Sequence, residues 1–361
     1  MKRRILHISP DMGYNDGRSY YVYLLLKYLK RNGHEVFLCS NNPEAKERIS
    51  DTGAEFFLMK ELGDKKKLLK GKSVLTDFVE KKRIEVIHSH HRFSEFIANS
   101  VRKKTGVKTV FTALSIVDKR YFIEYRSDRL IAVSNSVKKM LINKFGVDGN
   151  KIHLIPNFTD TEELTDKIPL TEDVKKYLSE ISQRRKVGFK IILTVGRFHK
   201  DKDQITLLKA SESFKDNKFY FVFIGSGELY SLYSEFIKEK SINAILIPSQ
   251  KDLRPFYEAA DICVLCSLTE PLSGFLLQSG LFSKPFIGSD AEGILEVVRN
   301  NDNGLIFKRG DSAELKNKIF MLSEDSNLSG LLSAKLHEDV MKSFTEKTVM
   351  PQIEEIYSSL S

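Results

Sequence analysis

Short apolar runs alternate along the chain with stretches whose apolar positions recur every three or four residues, which predicts strands and helices in turn. Residues 4–9 read as a strand. Residues 18–32 have helical spacing, and Gly33 is placed to stop that helix. Residues 35–40, 86–88, 107–112, 130–134 and 152–156 read as further strands, with helices at 94–103 and 136–145 among them. Residues 162–187 break the rhythm. They are charged, contain Pro169 and hold no long apolar run, so the inter-domain connection is placed there. The alternation then restarts, with strands at 191–196, 219–225, 244–248, 262–267, 286–288 and 305–307. Helices are expected at 204–214, 229–240, 253–260 and 275–283.

Strands joined through helices pair in parallel. Runs that are apolar throughout fit sheets covered by helices on both faces. The expectation is an α/β chain of two Rossmann-like, doubly wound parallel-sheet domains, residues 1–165 and 166–344. Ligands of such sheets bind beyond the carboxyl ends of the strands, so a central cleft faced by both sets of strand ends is the expected site.

Composition supports two ordinary cores: 361 residues, 41% hydrophobic and 29% charged. No run approaches the roughly 18 apolar residues of a membrane-spanning helix. The basic start Lys2-Arg3-Arg4 is followed by too short an apolar stretch for a signal peptide, which reads as a cytoplasmic protein. Cys39, Cys263 and Cys266 are too few for a disulfide framework. Cys263 and Cys266, three apart on a strand, point to opposite faces and read as core residues. A net charge of +9 favours an anionic partner. No helix-turn-helix, zinc-finger or aromatic-basic signature makes that partner a nucleic acid, and the first loop lacks the Gly-x-Gly-x-x-Gly of a dinucleotide dehydrogenase.

Two segments carry candidate chemistry. Val195-Gly196-Arg197-Phe198-His199-Lys200-Asp201-Lys202 leaves a strand and leads into a helix. Arg197 and Lys202 at a strand's carboxyl end suit a diphosphate, Arg as a fork and Lys as a point charge, although a solvated basic turn would look the same. Ser267-Leu-Thr-Glu270-Pro271-Leu-Ser273-Gly274-Phe275-Leu-Leu-Gln278 also follows a buried strand. Ser273-Gly274 opens a helix whose first N–H groups suit a phosphate, and an ordinary capped helix is the plain alternative.

With these residues in place, the chain resembles the retaining family-4 glycosyltransferases of the GT-B fold. Gly196-Arg197 with Lys202 is similar to that family's diphosphate-binding pair, and 267–278 to its E-x7-E segment. Lys284-Pro285-Phe286 with Gly293 and Glu296 resembles the segment after it, and Asn303-Gly304-Leu305-Ile306-Phe307 the next strand. Upstream, Asn32-Gly33-His34-Glu35-Val36, Ala132-Val133-Ser134 and Ile155-Pro156-Asn157 resemble parts of its first domain. The resemblance implies that Arg197 and Lys202 bind the donor diphosphate and stabilise the charge growing on it. It implies that Glu270 faces the donor sugar, that backbone at Ser273, Gly274, Phe275 and Leu276 contacts phosphate, and that Gln278 holds the ribose. It further implies an acceptor-handling first domain, a nucleotide-sugar-binding second domain, a last helix near 345–361 packing back on the first, and no required metal or other cofactor.

Four departures stand out. Gln278 replaces the second acid and brings no charge. In the first loop, Gly13-Tyr14-Asn15-Asp16-Gly17-Arg18, Gly17 keeps one glycine of the usual pair and with it the close approach to the nucleotide-sugar, while Asp16 takes the other place as a candidate donor or acceptor contact. Ala113-Leu114-Ser115 lacks the family's histidine near the donor sugar, although His88, His90 and His91 end an earlier strand and are candidate donor or acceptor contacts. Glu292-Gly293 replaces a second glycine pair: Gly293 keeps the backbone open near the sugar, and Glu292 faces donor or acceptor.

The resulting expectation is transfer of a sugar from a UDP-, GDP- or ADP-sugar, with retention, to a hydroxyl of a glycan, lipid-linked or phosphorylated acceptor. Cell-surface polysaccharide or lipopolysaccharide biosynthesis is the setting. Basic clusters at 64–73, 81–83 and 102–104 suit an anionic membrane surface. The alternative is a catalytically inactive relative that binds a glycan or supports a partner subunit.

Overall fold

The computed structural model describes the chain apart from residues 1, 15, 63, 121–123, 167–168, 215–217 and 361. Asn15 of the first loop thus lies outside the described residues. The chain divides into two compact units, Met1–Asn157 with Glu346–Ser361, and Phe158–Thr345. Position 165, where the sequence pattern puts the boundary, falls inside the second unit.

In the first unit the strands are β1 (Arg4–Ile8), β2 (Glu35–Ser40), β3 (Glu55–Leu58), β4 (Val86–Ser89), β5 (Lys108–Ala113), β6 (Arg129–Ala132) and β7 (Ile152–Leu154). They form one sheet in the order β3-β2-β1-β4-β5-β6-β7, every neighbouring pair parallel. Helices α1 (Gly17–Arg31), α2 (Lys46–Asp51), α3 (Leu68–Lys82), α4 (Arg92–Thr105) and α5 (Asn135–Asn143) supply the crossovers. β1 is buried on both faces, with Ile5, Leu6 and Ile8 all at 0% exposure, which explains its unbroken apolar run. Gly33 has φ 86°, the left-handed conformation that ends α1. The basic stretch at 64–73 is mostly helix: α3 runs straight through Gly71, where a Cβ would come within 3.1 Å of Met59 and 3.3 Å of Glu61.

The first α-helix of the second unit is α6 (Glu172–Lys186), which corrects the reading of 162–187 as connection alone. Thr171 caps α6 by accepting from Val174 N–H, and only Val174 and Ile181 are buried, so its apolar signal is thin. Then follow β8 (Lys190–Val195), α7 (Gln204–Ser211), β9 (Phe219–Ile224), α8 (Tyr230–Lys240), β10 (Ala244–Ile247), α9 (Arg254–Ala259) and β11 (Ile262–Leu265). α10 (Gly274–Leu281), β12 (Phe286–Ser289), α11 (Glu292–Leu295), β13 (Leu305–Phe307), α12 (Ser312–Glu324) and α13 (Ser326–Ser343) complete it. Its sheet has the order β10-β9-β8-β11-β12-β13, again parallel throughout. Phe221, Phe223, Val264 and Phe307 lie in its core with Cys266; all three cysteines are buried and free.

The last helix, α14 (Glu346–Ser358), belongs to the first unit. Its Tyr357 is fully buried against His88, and its Glu354 meets Asn32 and His34 at 3.0 and 3.1 Å. Among the described residues, no helix is long and apolar enough to cross a membrane.

Candidate functional site

In the second sheet the strand order reverses between β8 and β11: the chain lays β9 and β10 on one side of β8 and β11 to β13 on the other. Such a switch point leaves a crevice beyond the carboxyl ends of the two strands, because their following loops part to opposite sides. The loop after β8 carries Gly196, Arg197 and Lys202; the loop after β11 carries Glu270 and leads into α10.

The β8 loop is held rigidly. Phe198, 0% exposed, anchors it beside Tyr230 and Tyr233. Phe198 N–H donates to Ser226 and Leu229 N–H donates to Phe198, zipping this loop to the turn after β9. That turn is Gly225-Ser226-Gly227 for a steric reason: a Cβ at Gly225 would lie 2.0 Å from the Gly196 carbonyl oxygen, and one at Gly227 2.4 Å from that of Phe198.

Lys202 Nζ donates to Glu270 Oε2 at 2.6 Å, and Ser267 Oγ donates to the same oxygen at 3.0 Å. Glu270 is 3% exposed, so this pair is preorganised in the interior edge of the site. An ammonium has three donors, and Glu270 takes one. Arg197 is exposed, and among the described residues its guanidinium has no ion-pair partner; its carbonyl accepts from Gln204 Nε2 at 2.9 Å. The structure thus brings Lys202 and Glu270 together and presents Arg197 to solvent from the same loop.

α10 starts at Gly274, capped by Ser273, whose hydroxyl accepts from Leu276 N–H. The earliest N–H groups of a helix have no intrahelical partner, and a Cβ at Gly274 would meet nothing within 4 Å, so the approach is open. Leu276 is wholly buried, and Phe275 packs on Tyr257, so any contact they make here is through backbone. Gln278, 8% exposed, accepts from Tyr257 Oη and donates to Glu163 Oε2, both at 3.0 Å. Gly293 is enclosed rather than open: its N–H donates to the Glu270 carbonyl, and a Cβ would lie 2.2 Å from that oxygen. Glu292 is exposed, 3.5 Å from Arg309, which also grips Asp290 and the Leu268 carbonyl. A cavity of about 610 Å³ lies elsewhere in this unit, beside Arg254 and Arg185, and is not lined by Arg197, Lys202 or Glu270.

The first sheet reverses between β1 and β4, and the sequence-picked histidines gather there. His88 is fully buried with both nitrogens engaged, by Tyr357 Oη at 2.6 Å and Thr112 Oγ1 at 2.7 Å, which corrects its reading as a free ligand contact. His90 meets His7 at 3.0 Å, and His7 Nε2 and His90 Nδ1 are buried without a partner among the described residues. Burial holds all three well below the usual imidazole range, His7 at about 3. Their nitrogens approach within 4.8 Å, a spacing a metal ion would accept, but with both His88 nitrogens taken the set fits a hydrogen-bonded network better. His91 is apart from it, capping α4. Asp16 turns onto α1: its carboxylate accepts from Ser19 N–H and Oγ, so it is not aimed at a ligand. Gly17 beside it faces open space. β5 ends at Ala113 and no imidazole stands near Leu114 in sequence.

The sequence reading passed over His7, Glu163 and Arg309. Arg309 follows the carboxyl end of β13, so the strand-end rule alone would have found it. The other two meet partners distant in sequence and left no local signal.

Two parallel-sheet units of this kind, with cations and a carboxylate at the switch point of the second, have the fold of GT-B glycosyltransferases. HepE of Anabaena, solved with UDP and glucose, superposes with a TM-score of 0.84 at 16% identity, covering 99% of this chain and 100% of its own. A glycosyltransferase from Rickettsia africae gives 0.83 at 20% identity, covering 99% and 98%. Glycosyltransferase Family 4 matches residues 16–163 and Glycosyl transferases group 1 matches 179–338. The chain belongs to these glycosyltransferases. Among curated relatives, an uncharacterised glycosyltransferase of Methanocaldococcus jannaschii is 26% identical over 79% of this chain and 78% of its own length. The UDP-Gal:α-D-GlcNAc-diphosphoundecaprenol α-1,3-galactosyltransferase of Escherichia coli is 25% identical over 75% and 68%.

Proposed function

We propose that this chain transfers a sugar from a nucleotide-sugar to a hydroxyl of a lipid-linked or glycan acceptor, with retained anomeric configuration, in cell-surface polysaccharide or lipopolysaccharide assembly. The observation that carries the reading is the convergence of Arg197, the Lys202–Glu270 pair and the open start of α10 on one switch point. The diphosphate takes the α10 N-terminus and the two cations. The bond from the anomeric carbon to the diphosphate breaks, the bond to the acceptor oxygen forms on the same face, and the hydroxyl proton leaves with the nucleoside diphosphate. Arg197 and Lys202 stabilise the charge that grows on the leaving group, while Glu270 fixes Lys202 and faces the sugar. Because side-chain cations supply that charge, a chelator leaves the rate unchanged. The relative's UDP-galactose and the UDP-glucose of the HepE structures make UDP-sugars the first donors to try, and the diphosphoundecaprenol relative supports a lipid-linked acceptor.

A thermal-shift screen against UDP-, GDP- and ADP-sugars tests the reading; no response to any of them overturns it. With a donor found, Arg197→Ala lowers kcat/KM about a hundred- to a thousandfold while the thermal midpoint holds, since Arg197 is exposed and unpaired among the described residues. An undiminished rate refutes the assignment. The absence of an imidazole near Leu114 favours a second reading, a donor-binding protein without turnover. Donor binding with no transfer to any lipid-linked or glycan acceptor would select it.

A further inference from the structure

We infer that Glu163, not an acid on α10, is the carboxylate that receives the ribose hydroxyls of the donor nucleotide; this rests on the donor reading above.

Gln278 lies four residues beyond Gly274, on the same face of α10 one turn further in. A nucleoside diphosphate whose phosphate meets the start of α10 therefore extends its sugar along that face. At this point the helix offers an amide, and the amide's direction is fixed from both ends. Tyr257, fully buried, donates its hydroxyl to Gln278 Oε1, so the NH₂ end turns to Glu163. Gln278 thus presents a carboxylate borrowed from 115 residues upstream.

Glu163 is itself well placed. It sits on the single 3-10 turn Thr161–Leu164, capped by Asp160, which is 2% exposed and accepts from Glu162 N–H through its side chain and from Glu163 N–H through its carbonyl. Arg254, 8% exposed and gripped by Asp252 through Nε and a terminal nitrogen, lies within electrostatic reach and balances the charge. A carboxylate offers about four acceptor sites, of which Gln278 Nε2 takes one on Oε2, and bonds to a charged acceptor are the strong ones.

The arrangement also explains why position 278 is not acidic. A glutamate there would stand about 3 Å from Glu163, and two carboxylates so close cannot both stay ionised. An acid at one position excludes an acid at the other, so the pair holds one negative charge in either order.

The test is calorimetric titration of wild type, E163Q, Q278E and the double variant E163Q/Q278E with UDP, GDP, ADP, their 2′-deoxy forms and inorganic pyrophosphate. E163Q weakens the best nucleoside diphosphate about ten- to a hundredfold and abolishes the preference for ribose over 2′-deoxyribose, with pyrophosphate unaffected. Q278E alone also weakens the nucleotide, and the double variant recovers most of the loss. An E163Q protein that keeps both affinity and ribose preference, or that loses pyrophosphate in step with nucleotide, overturns the inference alone. Wild-type protein that binds none of the three nucleotides overturns the donor reading and the inference with it.

Discussion

His7, His88 and His90 are fully or nearly buried and neutral in the folded chain, whereas in the unfolded chain each titrates near its ordinary value of about 6.5. Below that value the unfolded state binds protons that the folded state refuses, so stability is complete above about pH 6.5 and falls as the pH drops toward the folded values. For His7 that window runs from about 6.5 down to about 3. Desolvation is the main cause for each, to which His34 adds for His7, His7 for His88, and His88, His7 and Arg18 for His90. From pH 7 to 5 His7 alone removes about 2 kcal/mol of stability, and His88 and His90 act in the same direction. Denaturant unfolding at the two values should show this loss in the first unit, and His90→Asn should reduce the proton uptake on unfolding by about one. Stability that is flat across this range would contradict the buried, neutral assignment.

At the scale of elements, two glycines in the first turns of α10 and α11 predict opposite outcomes. Gly293 is walled in by the backbone of Glu270 and Pro271, so Gly293→Ala forces α11 away from the β11 loop and displaces Glu270 from Lys202. Gly274 opens α10 into free space, so Gly274→Ala keeps the fold and instead puts a methyl in the path of a phosphate. The expected result is a lowered thermal midpoint with lost donor affinity for the first, and an unchanged midpoint with about tenfold weaker donor binding for the second. Equal donor affinity in Gly274→Ala and wild type would remove α10 from the phosphate site. The strand-end loops that carry these residues were legible in the sequence because strands buried on both faces are apolar throughout. α6 was not, since a helix with two buried positions has almost no apolar period. Its Thr171 cap, acidic first turn and basic last turn were the signals that remained.

On the scale of the whole chain, two copies of one parallel architecture were legible, and so was the position of Arg197, Lys202 and Glu270 on strand-end loops, because strand alternation is a local pattern. The Glu163–Gln278 and His7–His90 contacts join positions 115 and 83 residues apart, which no local pattern reports. The excess positive charge is also a whole-chain property, and in the first unit it meets exposed apolar side chains. Leu69 on α3 is 84% exposed between Lys67 and Lys70, and Phe56 and Leu58 on the edge strand β3 are 36% and 46% exposed. Exposed lysines around a protruding leucine suit an anionic bilayer, where each cation contributes about 1 kcal/mol and the leucine inserts at the interface. The lysines are not all free for it, since Lys70 pairs with Glu61 at 2.9 Å and Lys67 with Asp64 at 3.3 Å. The Lys67–Asp64 pair is exposed enough to exchange for lipid phosphates, whereas the Glu61 that holds Lys70 is largely buried. Co-sedimentation should therefore show binding to phosphatidylglycerol vesicles at low salt, release at high salt as the charges are screened, and little binding to neutral phosphatidylcholine. Leu69→Asp should weaken vesicle binding about tenfold with nucleotide binding untouched, because α3 lies in the first unit and the nucleotide residues in the second. Equal binding to neutral and anionic vesicles, or none to either, would remove the membrane surface that the basic clusters lead one to expect and leave the donor site standing.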